Sequence, residues 1–131
     1  MEFHTLLKNL NTKSFFSDLI IERGIEKESL RIDRNGFISK ADHPKSLGSS
    51  YTNSSITTDF AESLIEIVTP TYTNIDDLYG KLKAIHVFIN QNLNDGEMLW
   101  PFSMPPRIGN ESDIKIATYG RTNMGKLKHV Y

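Results

Sequence analysis

Carboxylates gather in two short β-prone segments of this chain, Arg23-Gly24-Ile25-Glu26-Lys27-Glu28-Ser29-Leu30-Arg31 and Thr57-Thr58-Asp59-Phe60-Ala61-Glu62-Ser63-Leu64-Ile65-Glu66-Ile67-Val68-Thr69-Pro70. An acid among residues that favour burial in a sheet is costly unless something cationic meets it. Where several such oxygens converge, a hard divalent ion is the usual answer. Glu26, Glu28, Asp59 and Glu66 are therefore candidate ligands for Mg²⁺, and the chemistry they suit is that of phosphate. Each segment also has a plainer reading. Glu26 and Glu28 fit a solvent-facing strand with alternating charge, aided by Lys27 and Arg31. Glu62 and Glu66 are spaced as i and i+4, so Asp59, Glu62 and Glu66 also fit the acidic stripe of an amphipathic helix.

A second candidate is the polar loop Gly120-Arg121-Thr122-Asn123-Met124-Gly125-Lys126, whose backbone N–H groups could cradle phosphate with Arg121 and Lys126 supplying charge. It does not follow the Walker A pattern, and an ordinary surface loop explains it equally well. His4, His43, His86 and His129 show no metal-ligand spacing, and His86 reads as a packed or surface histidine. Trp100 with Phe102 reads as core.

The elements that must position these residues follow from periodicity. Phe3, Leu6, Leu7 and Leu10 have helical spacing, and a break at Asn11-Thr12-Lys13 separates them from a second short helix. Ile21 to Ile32 reads as a strand with Glu26, Glu28, Leu30 and Ile32 on one face and Ile25, Lys27, Ser29 and Arg31 on the other. Asn35-Gly36 is a hairpin signal, with Phe37 and Ile38 starting the return. Residues 39 to 55 form a loop. In Ile56 to Thr69 the β-branched run Ile65, Ile67, Val68, Thr69 and the stop at Pro70 favour a strand for the second half. Glu62, Leu64 and Glu66 then share a face, which Asp59 joins only if the chain bends near Phe60 and Ala61.

The clearest helix runs from about Ile75 to Leu93, with a stripe of Ile75, Leu78, Leu82, Ile85, Ile89 and Leu93. Thr73 or Asn74 caps it, Asp76 and Asp77 complement its dipole, and Gly96 ends it. Gly80 inside it implies close packing. Met98 to Pro106 is extended, since Pro101, Pro105 and Pro106 forbid regular helix. Ser112 or Asp113 caps a short helix through Ile114, Ile116 and Ala117.

The 131 residues suit one domain, and a hydrophobic share of 38% with 24% charged residues is ordinary for a globular chain. A net charge of −1 leaves no basic footprint for nucleic acid and no polybasic signal for a membrane surface. The absence of cysteine excludes disulfides, thiolate metal sites and a cysteine nucleophile. No apolar run is long enough for a membrane span, and the N-terminus lacks the apolar core of a signal peptide, so a cytoplasmic location is expected.

An ordered series of words then carries a resemblance. Arg23 to Arg31, Gly36, His43-Pro44, Leu47-Gly48-Ser49, Ile56-Thr57-Thr58-Asp59-Phe60-Ala61-Glu62, Glu66, Thr69-Pro70, Trp100-Pro101-Phe102-Ser103-Met104-Pro105 and Tyr119-Gly120 resemble the γ-proteobacterial type of glutamate–cysteine ligase (γ-glutamylcysteine synthetase). The match is collinear from about Ile21 to Tyr131. It implies an α+β fold, part of a glutamine-synthetase-like, mostly antiparallel, funnel-shaped sheet with flanking helices. It also implies Mg²⁺ and ATP, and ligation of the L-glutamate γ-carboxylate to L-cysteine through a γ-glutamyl phosphate, the first step of glutathione biosynthesis. In the family the residues matching Glu26, Glu28, Asp59 and Glu66 hold the metals, and the tyrosine matching Tyr131 belongs to the cysteine pocket.

The family's enzymes run to several hundred residues, and their remaining metal ligands follow the position of Tyr131. Residues 1–131 are accordingly expected to be an N-terminal portion of the catalytic domain, carrying only part of the Mg²⁺–ATP site, inactive alone, with the remainder as its partner. Two other readings stay open: a non-catalytic Mg²⁺-binding or interaction module, and a related carboxylate–amine ligase with a different amine. The segments Trp100 to Pro105 and Tyr119 to Tyr131 favour the cysteine-specific family over the last.

Overall fold

The structure, a computed structural model, describes residues 2–12 and 19–118. Its elements in chain order are α1 (Phe3–Thr12), β1 (Glu26–Ile32), a 3₁₀ turn (Lys45–Leu47), β2 (Ile56–Thr58), β3 (Leu64–Val68), α2 (Ile75–Asn92), β4 (Met98–Leu99) and a second 3₁₀ turn (Glu111–Asp113). The strands form one sheet in the order β2-β3-β1-β4, and every neighbouring pair is antiparallel. The class is α+β, as expected.

The two faces of this sheet differ because side chains alternate along each strand. Ser29, Arg31, Ile56, Thr58, Ile65 and Ile67 are buried on one face, while Glu26 and Glu28 are exposed on the other. The buried face meets α2. Leu47, Ile56, Ile65, Ile67, Ile85 and Ile89 form one core cluster, with Leu82, Leu93 and Leu99 packed against it. The α2 stripe thus does what its spacing predicts, except that Ile75 stays exposed. Asn74 caps the helix by accepting hydrogen bonds from the Asp76 and Asp77 amides at 2.7 and 3.4 Å.

Several boundaries differ from expectation. β1 starts at Glu26, not Ile21, because the Ile25 amide donates to the Thr69 hydroxyl (2.8 Å) instead of a strand carbonyl. The Asn35-Gly36 turn forms, with Gly36 at φ 79° and the Asp33 carboxylate accepting from the Asn35 and Phe37 amides. Its return is only a single bridge, Ile32 to Ile38, and the edge of β1 is taken by the distant β4. α2 ends at Asn92, and Gly96, at φ 80°, serves instead the turn from Asn94 to Glu97 that feeds β4. A Cβ built on Gly80 meets nothing within 4 Å, so close packing does not explain that glycine. The expected helix after Ser112 is one 3₁₀ turn, because Ile116 is drawn into a bridge with Ala61.

Candidate metal centre

The register decides which carboxylates meet. β1 pairs with β3 so that Glu28 stands directly opposite Glu66, Glu26 opposite Val68 and Leu30 opposite Leu64. β2 pairs with β3 so that Thr57 faces Glu66. Opposed residues share a face, so Glu26, Glu28 and Glu66 occupy the side of the sheet away from α2. Directly opposed side chains have Cβ atoms about 4.5–5.5 Å apart, and like charges there are destabilising. A cation supplied to this face removes that cost.

Asp59 joins them without the bulge that the linear reading required. The chain turns back between β2 and β3, and the Asp59 amide donates to the Leu64 carbonyl at 3.3 Å, which carries the β2–β3 register one step further. Asp59 therefore falls in the row of Leu64 and Leu30, beside the row of Thr57, Glu66 and Glu28. The helical alternative for this stretch is overturned, because the Leu64–Val68 backbone is committed to ladders on both sides. Among the described residues no three acidic or imidazole side chains converge closely enough to enclose an ion by themselves.

Glu62 departs from the expected face. It lies in the β2–β3 turn, 6% exposed, and its carboxylate accepts the Thr118 amide (2.6 Å), the Thr118 hydroxyl (2.8 Å) and the His43 amide (3.2 Å). Its acceptor capacity is spent holding two loops rather than offered to the sheet face. Arg121, Lys126 and Tyr131 lie outside the described residues, as does the whole loop from Gly120 to Lys126.

Trp100 and Phe102 are not core. The Trp100 amide donates to the Leu30 carbonyl at 2.8 Å, placing the indole at the edge of the carboxylate face. Its Nε1–H donates to the Met104 carbonyl at 2.6 Å, and Phe102, 61% exposed, meets it edge-on at 5.0 Å between centroids. Prolines at 101 and 105 hold this segment away from helix and sheet alike. The result is a cleft of about 290 Å³ with Glu28 and Leu64 on one side and Trp100, Met104 and Pro105 on the other. A second cleft, of about 370 Å³, adjoins Glu26 and is lined by Gly24, Val68, Thr69 and Thr71. The acidic face thus lies between two recesses of different character.

Beneath that face is a buried polar network that residue patterning did not expose. Arg31 is fully buried on the α2 side of β1; its guanidinium donates to Glu97 Oε1 (2.5 Å), the Ala41 carbonyl (2.9 Å) and the Glu62 carbonyl (2.8 Å). Glu97 also accepts from the Ser39 hydroxyl and from the Asn94 amide. The signal was in the alternation, since Arg31 shares the face of Ser29, yet nothing local to it names Glu97 as its partner. Burial holds the His43 imidazole below its ordinary pKa, the nearby Arg31 charge adds to this, and Glu62 opposes it. On the α2 side, burial lowers the Lys27 ammonium, which donates to the Ser29 hydroxyl at 2.5 Å. Burial and then Lys27 lower His86.

Comparison with known proteins shows the family of the chain. The family model described as glutamate-cysteine ligase matches residues 5–131. The glutamate–cysteine ligase of Hahella chejuensis is 50% identical over 111 residues, covering 85% of this chain and 21% of that protein. The Shewanella pealeana ligase is 47% identical over 111 residues, with the same coverage of each, 85% and 21%. The crystal structure of the Francisella tularensis glutamate–cysteine ligase in complex with AMP superposes with a TM-score of 0.79 at 39% identity, covering 84% of this chain and 22% of that one. The chain therefore spans about a fifth of the length of the relatives it matches.

Proposed function

Since the chain belongs to the glutamate–cysteine ligase family, we propose that it supplies part of a Mg²⁺–ATP centre that joins the γ-carboxylate of L-glutamate to the amine of L-cysteine. The observation that carries this reading is the Glu28–Glu66 cross-strand pair, with Glu26 and Asp59 on the same exposed face. These are hard oxygen donors of one sign, held at ladder positions, so their chemistry fits Mg²⁺. Glu26, Glu28, Asp59 and Glu66 would hold it. Bound Mg²⁺ supplies the positive charge that lets a carboxylate approach a triphosphate. The AMP in the Francisella relative supports an adenine nucleotide as the phosphate source.

The chain's own residues contribute position. The β1–β3 ladder fixes three of the acids, and the α2 packing behind it keeps the sheet from yielding when charge gathers in front. The clefts beside Glu28 and Glu26 give substrate groups somewhere to sit on either side of the acids. A γ-glutamyl phosphate formed there needs exclusion of water. With a fifth of the relatives' length present and no three donors enclosing an ion among the described residues, the chain alone is read as incomplete for turnover. Residues Arg121, Lys126 and Tyr131 keep their proposed roles in phosphate and cysteine binding.

Calorimetric titration with Mg²⁺ and Mn²⁺ tests the metal reading. The chain should take up the ions weakly, and Glu28→Gln should abolish the heat. Equal binding by Glu28→Gln and the parent sinks the assignment. In a full-length relative, the matching substitution should stop ADP release.

A further inference from the structure

Three of the four proposed ligands sit inside strand ladders, but Asp59 does not: it is the first residue of the turn 59–63, one step past the end of β2. A ligand outside a ladder needs bracing from elsewhere to stay within the fraction of an ångström that a metal site tolerates. The turn is braced from below. The Arg31 guanidinium donates to the Glu62 carbonyl at 2.8 Å, and the Arg31 amide donates to the Ser63 carbonyl at 2.7 Å. The same guanidinium is anchored on Glu97 and on the Ala41 carbonyl, so it cannot turn away to follow a moving turn. From the other side, Ala117 donates to the Phe60 carbonyl and Glu62 to the Lys115 carbonyl, each at 2.9 Å.

We infer that Arg31 is a positioning residue for the metal centre: from the buried face of β1 it fixes the turn that carries Asp59 against the strand that carries Glu28. The inference rests on the metal reading above and adds a residue that touches neither ion nor substrate. A merely structural arginine would lower stability when changed and leave the relation between Asp59 and the sheet alone. A positioning arginine couples to Asp59 specifically. Its planar fork reaches several acceptors at once, which a lysine ammonium cannot reproduce.

The test uses the 131-residue chain and the variants Arg31→Lys, Asp59→Asn and the double variant. Amide exchange followed by NMR reads the geometry, and Mn²⁺ binding followed by the electron paramagnetic signal of the free ion reads the site. Arg31→Lys should leave exchange at Lys27 and Ile67 in the β1–β3 ladder within about twofold, and speed exchange of the Asp59 amide at least tenfold. It should weaken Mn²⁺ binding several-fold, and the double variant should bind no worse than Asp59→Asn, because both changes act through one ligand. Unchanged exchange at Asp59, or losses that simply add in the double variant, overturns the inference. If Arg31→Lys does not fold, Glu97→Gln, which loosens the anchor while keeping shape, must show the same pattern more weakly, and its absence overturns the inference equally. A parent chain that takes up no Mn²⁺ refutes the metal reading, and the inference falls with it as a statement about the ion. The Asp59 exchange result then still decides whether Arg31 holds the turn.

Discussion

At the scale of single residues, the face of the sheet away from α2 concentrates like charge. Glu28 and Glu66 are directly opposed, an arrangement that costs a few tenths to about 1 kcal/mol relative to a neutral pair. Neutralising Glu28 with Glu28→Gln should therefore stabilise the chain by that amount in metal-free buffer, as read by urea unfolding. Added Mg²⁺ should raise the stability of the parent and leave Glu28→Gln unchanged, which reverses the order. The same difference between variant and parent in both buffers would mean that the pair is not a cation site. His43 gives a pH dependence of known sign. The fold depresses its pKa below the ordinary 6.5, chiefly by burial. The folded state thus prefers neutral imidazole. The associated stability is fully present above about pH 6.5 and is lost as pH falls through the lower folded value. His43→Gln should flatten the stability profile as pH falls below 6.5, and His86, depressed in the same sense, contributes to the slope that remains.

Elements show where strong local signals sufficed and where they did not. α2 has an apolar stripe, a capping asparagine and acids in its first turn, and all three act as the residues indicate. Replacing its cap, Asn74→Ala, should cost about 1 kcal/mol. Its interior Gly80 faces open space, so Gly80→Ala should stabilise the chain by about 0.5–1 kcal/mol through backbone entropy. A thermal midpoint that falls instead of rising would mean that the Gly80 surface is covered by something in solution. The ends of elements were harder to read. The end of α2 at Asn92 and the start of β1 at Glu26 are set by which acceptor an amide finds, such as the Thr69 hydroxyl for Ile25. No periodicity reports that choice.

At the scale of the molecule, the described residues form a sheet packed against α2 on one face and acidic on the other, tied together by a charge cluster at its base. Arg31, Glu97, Ser39 and the Ala41 and Glu62 carbonyls join segments up to 66 residues apart in sequence. Removing one side of such a pair strands the other charge in the interior, so Glu97→Ala should destabilise the chain by about 3–5 kcal/mol in chemical denaturation. A loss below about 1 kcal/mol would show that Arg31 relaxes to water. Phe3, Leu6 and Leu7 of α1 are exposed in the described structure, a surface that favours association. No described helix is long and apolar enough to cross a membrane.

Residue types and their order determined the ligand candidates, the helix, the hairpin turn and the family, because those depend on local chemistry and on collinear words. Glu26 and Glu28 could be placed on one face from the period of a strand alone. The partner of Glu28 could not, since register is a relation between segments far apart in the chain, and only the fold sets Glu66 opposite it. Tertiary structure also brought Asp59 onto the acidic face, in the row beside Glu66 and Glu28, by a turn rather than a bulge. It withdrew Glu62 into a buried latch and moved Trp100 from core to rim. Each of these outcomes turns on which distant backbone group satisfies a donor, and that is decided only when the chain closes on itself.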